Sequence, residues 1–243
     1  MRPLIITVAG GLLLMTAGCA STTDHTTAGA SVVANQSTRS AHSSSATSAV
    51  PVTATSKPAA ATTQRIVLRP VTARGTVATG YRLSKHLDES ITCGGGIVSR
   101  AAVQPNIDEC SPTAAYPVAC WADSSPNTAL CLRNPFAKQV DLIRTDGAVA
   151  PSKPVPTPSP FGLTLSDGSR CTLRIGGAWG ELDDHPDLYG TYGCGSEAIW
   201  GPANSDGINR TGSQWTVRLA PLNGHGLLHI VKITNAIFVG TAS

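Results

Sequence analysis

Six cysteines limit the folds open to this chain more than any other feature of its sequence. They lie between residues 93 and 194: Cys93, Cys110, Cys120, Cys131, Cys171 and Cys194. An even number of cysteines in an exported chain predicts disulfide bonds. No Cys-x-x-Cys motif occurs and the histidines lack ligand spacing relative to the cysteines, which argues against zinc. We therefore predict a domain cross-linked by three disulfides, with no metal and no cofactor.

Strand-like patterns around the cysteines favour one pairing among the many that six cysteines allow. Residues 118–121 and 128–132 resemble strands joined by a short polar loop, which favours Cys120 with Cys131. Cys171 and Cys194 lie in strand-like segments on either side of another loop. This leaves Cys93 with Cys110, although the sequence alone does not exclude the other combinations.

The N-terminus predicts export. Arg2 precedes an apolar stretch at residues 4–15, and the small residues of Thr16-Ala17-Gly18 precede Cys19. This stretch is too short for a stable transmembrane helix and is typical of a signal peptide, here residues 1–18. The segment 15–19 resembles the lipobox of bacterial lipoproteins, except that Thr16 stands where Leu is commonest. The resemblance implies a lipid on Cys19 and an anchor on the outer face of the cell membrane. Ordinary secretion and an uncleaved anchor are the alternatives.

Residues 19–64 predict a tether. After Cys19 this segment consists largely of Ser, Thr and Ala. Such a composition buries too little apolar surface to offset the entropy of ordering the chain, so we expect disorder. The expected root-mean-square reach is about 35 to 40 Å. The segment either carries O-linked sugars or serves as an unmodified spacer.

Residues 65–243 predict a single extracytoplasmic, mainly β domain. The whole chain has 24 Gly and 17 Pro, while charged residues make up 14% and aromatic residues 5%. This composition suits short strands and many turns and argues against helical bundles and coiled coils. From Arg65 onward 15 basic residues face 14 acidic ones, so no basic field attracts nucleic acid. We predict a compact, disulfide-bonded antiparallel sheet domain, either a sandwich or barrel-like.

The clearest strand signals lie in the C-terminal half. Apolar alternation around a turn at residues 166–169 predicts a hairpin over 163–175, and 215–219 with 227–239 predict a second hairpin. Shorter strands are expected at 189–194 and 198–201, and others at 65–68, 118–121, 128–132 and 139–143. A helical turn is expected at 99–103. Residues 150–160 contain five prolines and predict an extended connector.

Several phrases of the sequence resemble a group of secreted mycobacterial proteins and lipoproteins of unknown function. They are Cys131-Leu-Arg-Asn-Pro, Pro160-Phe-Gly-Leu-Thr-Leu with Asp167-Gly168, Cys171-Thr-Leu-Arg-Ile-Gly-Gly-Ala-Trp179, Tyr192-Gly-Cys194 and Trp215-Thr-Val. The resemblance covers roughly residues 85–240. It implies an exported, cysteine-bonded domain and supplies no catalytic residue.

Two sets of residues are candidates for ligand contact. Glu181, Asp183, Asp184 and Asp187, together with His185, concentrate carboxylates in a predicted loop, where they could bind Ca²⁺ or do acid/base chemistry. They lack EF-hand spacing, so we expect a solvated acidic loop. The four tryptophans either pack in the core, as we expect, or stack on a sugar, for which Trp179 and Trp200 are better placed than Trp121 and Trp215.

No catalytic motif is present. The Gly-x-Ser-x-Gly pentad of serine hydrolases does not occur, and the nearest phrase, Gly193-Cys-Gly-Ser-Glu197, contains a cysteine expected to be disulfide-bonded. The histidines of the predicted domain, His86, His185, His225 and His229, have no catalytic context. We therefore expect a non-enzymatic module that binds an envelope glycan or protein. An extracytoplasmic hydrolase of unrecognised type is the alternative.

Overall fold

The computed structural model describes residues 61–93, 95, 97–110, 117–174, 176 and 180–243, and these residues form strands without any helix. The strands are β1 Gln64–Thr72, β2 Arg82–Thr92, β3 Ala119–Ala122, β4 Thr128–Leu132, β5 Gln139–Asp146, β6 Gly162–Leu165, β7 Arg170–Leu173, β8 Glu181–Leu182, β9 His185–Cys194, β10 Glu197–Pro202, β11 Ile208–Asn209, β12 Thr216–Pro221 and β13 His229–Ala242. The predicted mainly β class is confirmed. The predicted signal peptide, Cys19 and the predicted tether up to residue 60 lie outside the described residues.

Six strands close into a barrel. Their order is β13-β6-β7-β9-β10-β12, and the antiparallel pairing of β12 with β13 closes the circle. Both predicted hairpins are present, as β6–β7 and β12–β13. Polar turns connect the strands, and Gly168 between β6 and β7 has φ 89°, a conformation that favours glycine. Of the two predicted architectures, the barrel-like one is therefore found.

The barrel core follows from strand alternation, because every second side chain points inward. Leu163 and Leu165 of β6, Leu173 of β7 and Tyr192 of β9 are buried in one cluster with residues of β10, β12 and β13. A second cluster lies where β10 is irregular opposite β9: Trp200 is buried there with Leu182, Leu188, Ala198 and Ala220. The short β8–β9 hairpin is thereby packed against the barrel wall.

β1, β8 and β11 extend the barrel sheet to nine strands, and the other four strands form a second sheet in the order β2-β5-β4-β3. Most strand pairs are antiparallel, as predicted, but β2 pairs with β5 in parallel, and β1 pairs with β13 in parallel. β2 itself was not predicted, because its sequence RLSKHLDESIT has no apolar alternation. The helical turn expected at 99–103 is also wrong: Ala102 donates to the Ser99 carbonyl in a single turn and then forms a bridge with Val239.

Three disulfides are present, Cys93–Cys110, Cys120–Cys131 and Cys171–Cys194. This is the pairing that the strand patterns favour. Cys120 and Cys131 are direct partners on the neighbouring strands β3 and β4. The four cysteines of the first two bridges pack together with Ala129 and Ile143 into one buried cluster.

The proline-rich segment 150–160 contains no strand, as expected. Its end is fixed to the barrel, because the hydroxyl of Tyr192 donates to the Pro160 carbonyl over 2.7 Å inside the core. The next residue, Phe161, donates from its amide to Ile237 of β13. Among the described residues there is no helix of the length and apolar character needed to cross a membrane.

Candidate functional site

Several clefts in the described residues are large enough for a small ligand. The first, of about 470 Å³, is lined only by neutral residues, among them Trp121, Gln104 and Thr241. Their polar groups already bond to one another or to neighbours: Trp121 Nε1 donates to Thr241 Oγ1, and Gln104 Oε1 accepts from Arg69 and from the Thr241 amide. This cleft therefore offers little chemistry for recognising a charged ligand.

The second cleft, of about 540 Å³, brings charged groups together, and we call it the cationic cleft. It is lined by Arg100, Ser159, Leu173, Arg174, Tyr189, Gly190, Thr191, Pro202, Ala203, Asn204, Ser205 and Asp206. It lies on the outer face of the barrel, against β9 and the end of β7, and the turn that follows β10 borders it. Its volume is within the usual range for small-molecule sites.

Arg174 is placed in this cleft by strand alternation. Leu173 points into the core, so the next side chain points outward. The Arg174 amide donates to the Thr191 carbonyl over 2.9 Å, which extends the β7–β9 pairing by one residue. The guanidinium is fixed by main-chain carbonyls, with Nε 3.1 Å from Gly176 O and Nη1 3.2 Å from Gly190 O. The positive charge therefore has a defined position on the barrel wall.

Arg100 reaches the same cleft from the segment between β2 and β3. Its Nη2 lies 3.5 Å from the Arg174 carbonyl oxygen. It also forms a two-point ion pair with Glu109, with Nε and Nη2 at 3.1 and 3.0 Å from the carboxylate oxygens. Roughly half of its side chain is exposed (49%), so the ion pair does not remove it from solvent or from a ligand.

The two guanidinium groups repel each other. The pKa of Arg174 is lowered from its ordinary value, first by burial and second by the positive charge of Arg100. On the other side of the cleft, Asp206 is engaged in a bidentate pair with Arg210, whose guanidinium also lies over the Trp215 ring at 5.2 Å. Arg100 and Arg174 thus both present positive charge to the cleft, whereas the carboxylate that lines it, Asp206, is already paired with Arg210. The cleft therefore favours an anion.

Two disulfides brace the segments that carry the arginines. Cys171–Cys194 joins β7 to β9 three residues before Arg174, and Cys93–Cys110 closes the segment that contains both Arg100 and Glu109. Because each bridge restricts the chain close to a charged side chain, the cleft is largely preformed. A preformed site loses less conformational entropy when a ligand binds.

The predicted acidic loop is a tight hairpin turn and not a loop. Glu181 belongs to β8, Asp183 and Asp184 form the turn, and His185 and Asp187 belong to β9. All five side chains are exposed, as expected of a solvated acidic segment. The structure adds a contact that the sequence did not indicate: the Asp183 carboxylate pairs with His225 Nδ1 across the neighbouring turn. No group of three or more His, Cys, Asp or Glu in the described residues could hold a metal ion.

The tryptophans that the structure describes pack as core residues. Trp200 is fully buried and donates from Nε1 to the Ala220 carbonyl, Trp121 is 3% exposed, and Trp215 is half-buried under Arg210. Core packing is therefore confirmed for Trp200 and Trp121, and Trp200 is not available for sugar stacking. Trp179 lies outside the described residues.

A serine, a histidine and two carboxylates meet on the four-stranded sheet. Ser84 Oγ lies 3.1 Å from His86 Nε2, Glu89 lies 3.5 Å from His86 Nδ1, and Asp141 lies 3.5 Å from Nε2. The Arg133 guanidinium pairs with both carboxylates. In a serine hydrolase this histidine nitrogen bonds to the serine hydroxyl and accepts its proton. Here Nε2 faces the Asp141 carboxylate as well as Ser84, so the arrangement differs from that of an activated serine.

Sequence reasoning did not find the cationic cleft. The outward position of Arg174 could have been inferred from the alternation around Cys171 and Leu173. Nothing local connects it with Arg100, 74 residues earlier in the chain. Neither a protein-family model, nor a curated protein, nor a solved structure matches this chain.

Proposed function

We propose that this chain is a membrane-anchored extracytoplasmic lipoprotein whose barrel domain is a non-enzymatic binding module of the cell envelope. The observation that carries the binding function is the convergence of Arg100 and Arg174 on one braced cleft. Three disulfides are compatible with an oxidising compartment outside the cytoplasm. The lipobox-like segment ending at Cys19 supports a lipid anchor, and the resemblance to mycobacterial lipoproteins supports an envelope host.

The cleft supports binding more than catalysis. Its lining residues include no histidine and no cysteine, and Asp206, its carboxylate, is occupied by Arg210. General acid–base catalysis needs a group that can exchange a proton near neutral pH, and an ion-paired carboxylate and two guanidinium groups do not supply one. Fixed positive charges, in contrast, bind and orient an anionic ligand without reacting with it.

The test is co-sedimentation of the full-length lipoprotein, kept in detergent, with insoluble envelope material. Ala203 lines the cationic cleft and Ala73 lines the first cleft, and both are exposed. Ala203→Trp should therefore fill the cationic cleft, and Ala73→Trp should fill the first cleft with the same change of side chain. We expect Ala203→Trp to abolish co-sedimentation and Ala73→Trp to leave it unchanged. Equal binding by Ala203→Trp and the unsubstituted protein would exclude this cleft as the ligand site.

The alternative, a hydrolase, has one observation in its favour, the 3.1 Å contact between Ser84 and His86. A fluorophosphonate probe labels activated serines and provides the discriminating measurement. Labelling that is lost in Ser84→Ala but retained in Ser90→Ala, another serine of β2, would favour a hydrolase. We expect neither serine to be labelled.

A further inference from the structure

We propose that the cationic cleft binds a sugar that carries a carboxylate or phosphate group, with the anionic group held between Arg100 and Arg174. This inference rests on the proposed binding function and names the ligand class. A carboxylate and a phosphate share the chemistry that matters here, because both accept paired hydrogen bonds from guanidinium groups. Calorimetry with one sugar of each kind separates these two sources of the negative charge.

The arginine pair supplies the anion site. Arg174 is held by two main-chain carbonyls, and Arg100 lies close enough to contact the Arg174 backbone. The two positive charges disfavour each other, and an anion between them would convert that repulsion into two attractions. After burial, the positive charge of Arg100 is the second cause of the lowered pKa of Arg174, so the two charges lie close enough to interact.

The rest of the cleft supplies the sugar site. Ser159, Tyr189 and Asn204 line it with hydroxyl and amide groups. Within the described part of the chain, none of these three side chains forms a hydrogen bond to another residue, so their bonding capacity remains for a ligand. Hydroxyl groups of a sugar both donate and accept hydrogen bonds, as these side chains do.

Apolar groups complete the cleft. Leu173, Pro202 and Ala203 lie among its lining residues, beside the polar ones. A sugar ring presents C–H groups as well as hydroxyls, so a wall with both characters matches it better than a purely charged patch would. Inorganic phosphate alone would use the arginines but not this wall. The lining thus favours an anionic sugar over a simple anion.

Calorimetric titration of the full-length protein in detergent tests the proposal with four probes. Glucuronate carries a carboxylate, glucose 6-phosphate carries a phosphate, glucose is the neutral match, and inorganic phosphate is the match without a sugar. We expect at least one anionic sugar to bind about tenfold or more tightly than both glucose and inorganic phosphate. Tighter binding of glucuronate would identify the anionic group as a carboxylate, and tighter binding of glucose 6-phosphate would identify it as a phosphate.

Variants assign the binding to the arginines. Arg100→Gln and Arg174→Gln should each weaken binding of the anionic sugar about tenfold, since each removes a charge-assisted contact. Arg144→Gln is the matched control, because Arg144 is exposed on β5 of the other sheet. Glu109→Gln should act in the opposite direction and tighten binding, because it releases Arg100 from its ion pair. If circular dichroism shows that Arg174→Gln does not fold, the affinities of Arg100→Gln and Glu109→Gln still test whether the arginine pair binds the anion.

Several outcomes would overturn the inference. They are equal binding of glucose, equal binding of inorganic phosphate, binding unchanged by both arginine variants, and no binding of any sugar. The proposed function fails separately, through the co-sedimentation of Ala203→Trp. If Ala203→Trp loses envelope binding while the arginine variants keep it, the cleft remains the binding site and only the anionic ligand is wrong.

Discussion

Arg100 Nη2 lies 3.5 Å from the carbonyl oxygen of Arg174, so two residues 74 positions apart in the chain border one cleft. Each is close to a disulfide that limits the motion of its own segment. The cleft is thus assembled from distant parts of the sequence, each of which contains a disulfide.

Replacing Cys171 and Cys194 together by Ala should lower stability and weaken ligand binding. In the chain-entropy model a loop of this size contributes about 3 kcal/mol to the free energy of unfolding. Binding should weaken as well, because the bridge lies three residues from Arg174. Denaturant unfolding and calorimetry with the anionic sugar measure the two effects. The matched control is the Cys120–Cys131 bridge on β3 and β4, whose removal should lower stability without changing the affinity of the folded protein.

Asp108→Asn should stabilise the protein near neutral pH. The Asp108 side chain is fully buried without a regular hydrogen bond in the described part of the chain. Burial raises its pKa above the ordinary 3.8, although the nearby Ser152 hydroxyl and Ala150 amide partly offset this effect. Because the folded-state pKa is the higher one, the folded protein loses stability as pH rises from 3.8 through that value.

The neutral amide has no such pH dependence. We therefore expect Asp108→Asn to raise Tm by about 2 to 4 °C at about pH 7, which corresponds to roughly 1 kcal/mol for a domain of this size. At about pH 3 both side chains are uncharged and the difference should vanish. Calorimetric melting at the two pH values is the measurement, with Asp146→Asn on the exposed end of β5 as control. A larger gain at low pH would contradict this reading of Asp108.

Tyr192→Phe should loosen the attachment of the proline-rich segment to the barrel. The substitution keeps the buried ring and removes only the hydroxyl that donates to the Pro160 carbonyl. A buried acceptor that loses its partner costs about 1 to 3 kcal/mol. We expect a loss of that size in urea unfolding and faster amide exchange around Phe161. Tyr81→Phe should change neither, because the hydroxyl of this half-buried tyrosine forms no hydrogen bond within the described residues.

The mature chain should begin at Cys19 with acyl chains on that residue. The motivation is the run of small residues before Cys19 and the pairing of all six later cysteines with one another. Mass spectrometry of the N-terminal peptide from membrane-purified protein gives the answer. Cys19→Ala should yield an unlipidated protein. An unmodified mature N-terminus at another residue in the unsubstituted protein would exclude the lipoprotein assignment.

Sequence reasoning succeeded where the structure is local. Apolar alternation around a glycine turn predicted the β6–β7 hairpin, and neighbouring strands predicted the Cys120–Cys131 bridge. The parallel pair β1–β13 was missed, because Gln64 faces Asn235 and no local pattern connects residues so far apart. The cleft was missed for the same reason. Its two arginines become neighbours only after the barrel has closed.

β2 was missed for a different reason. It is eleven residues long, lies at the edge of its sheet and carries Lys85, His86, Asp88 and Glu89 in place of an apolar face. A long edge strand with unpaired backbone groups is a template on which another chain can add, and charged side chains discourage this. The polar pattern that makes β2 hard to predict from the sequence therefore also disfavours pairing of this edge with another chain. Replacing these charges by valine or isoleucine would make the strand easier to predict and the protein harder to keep in solution.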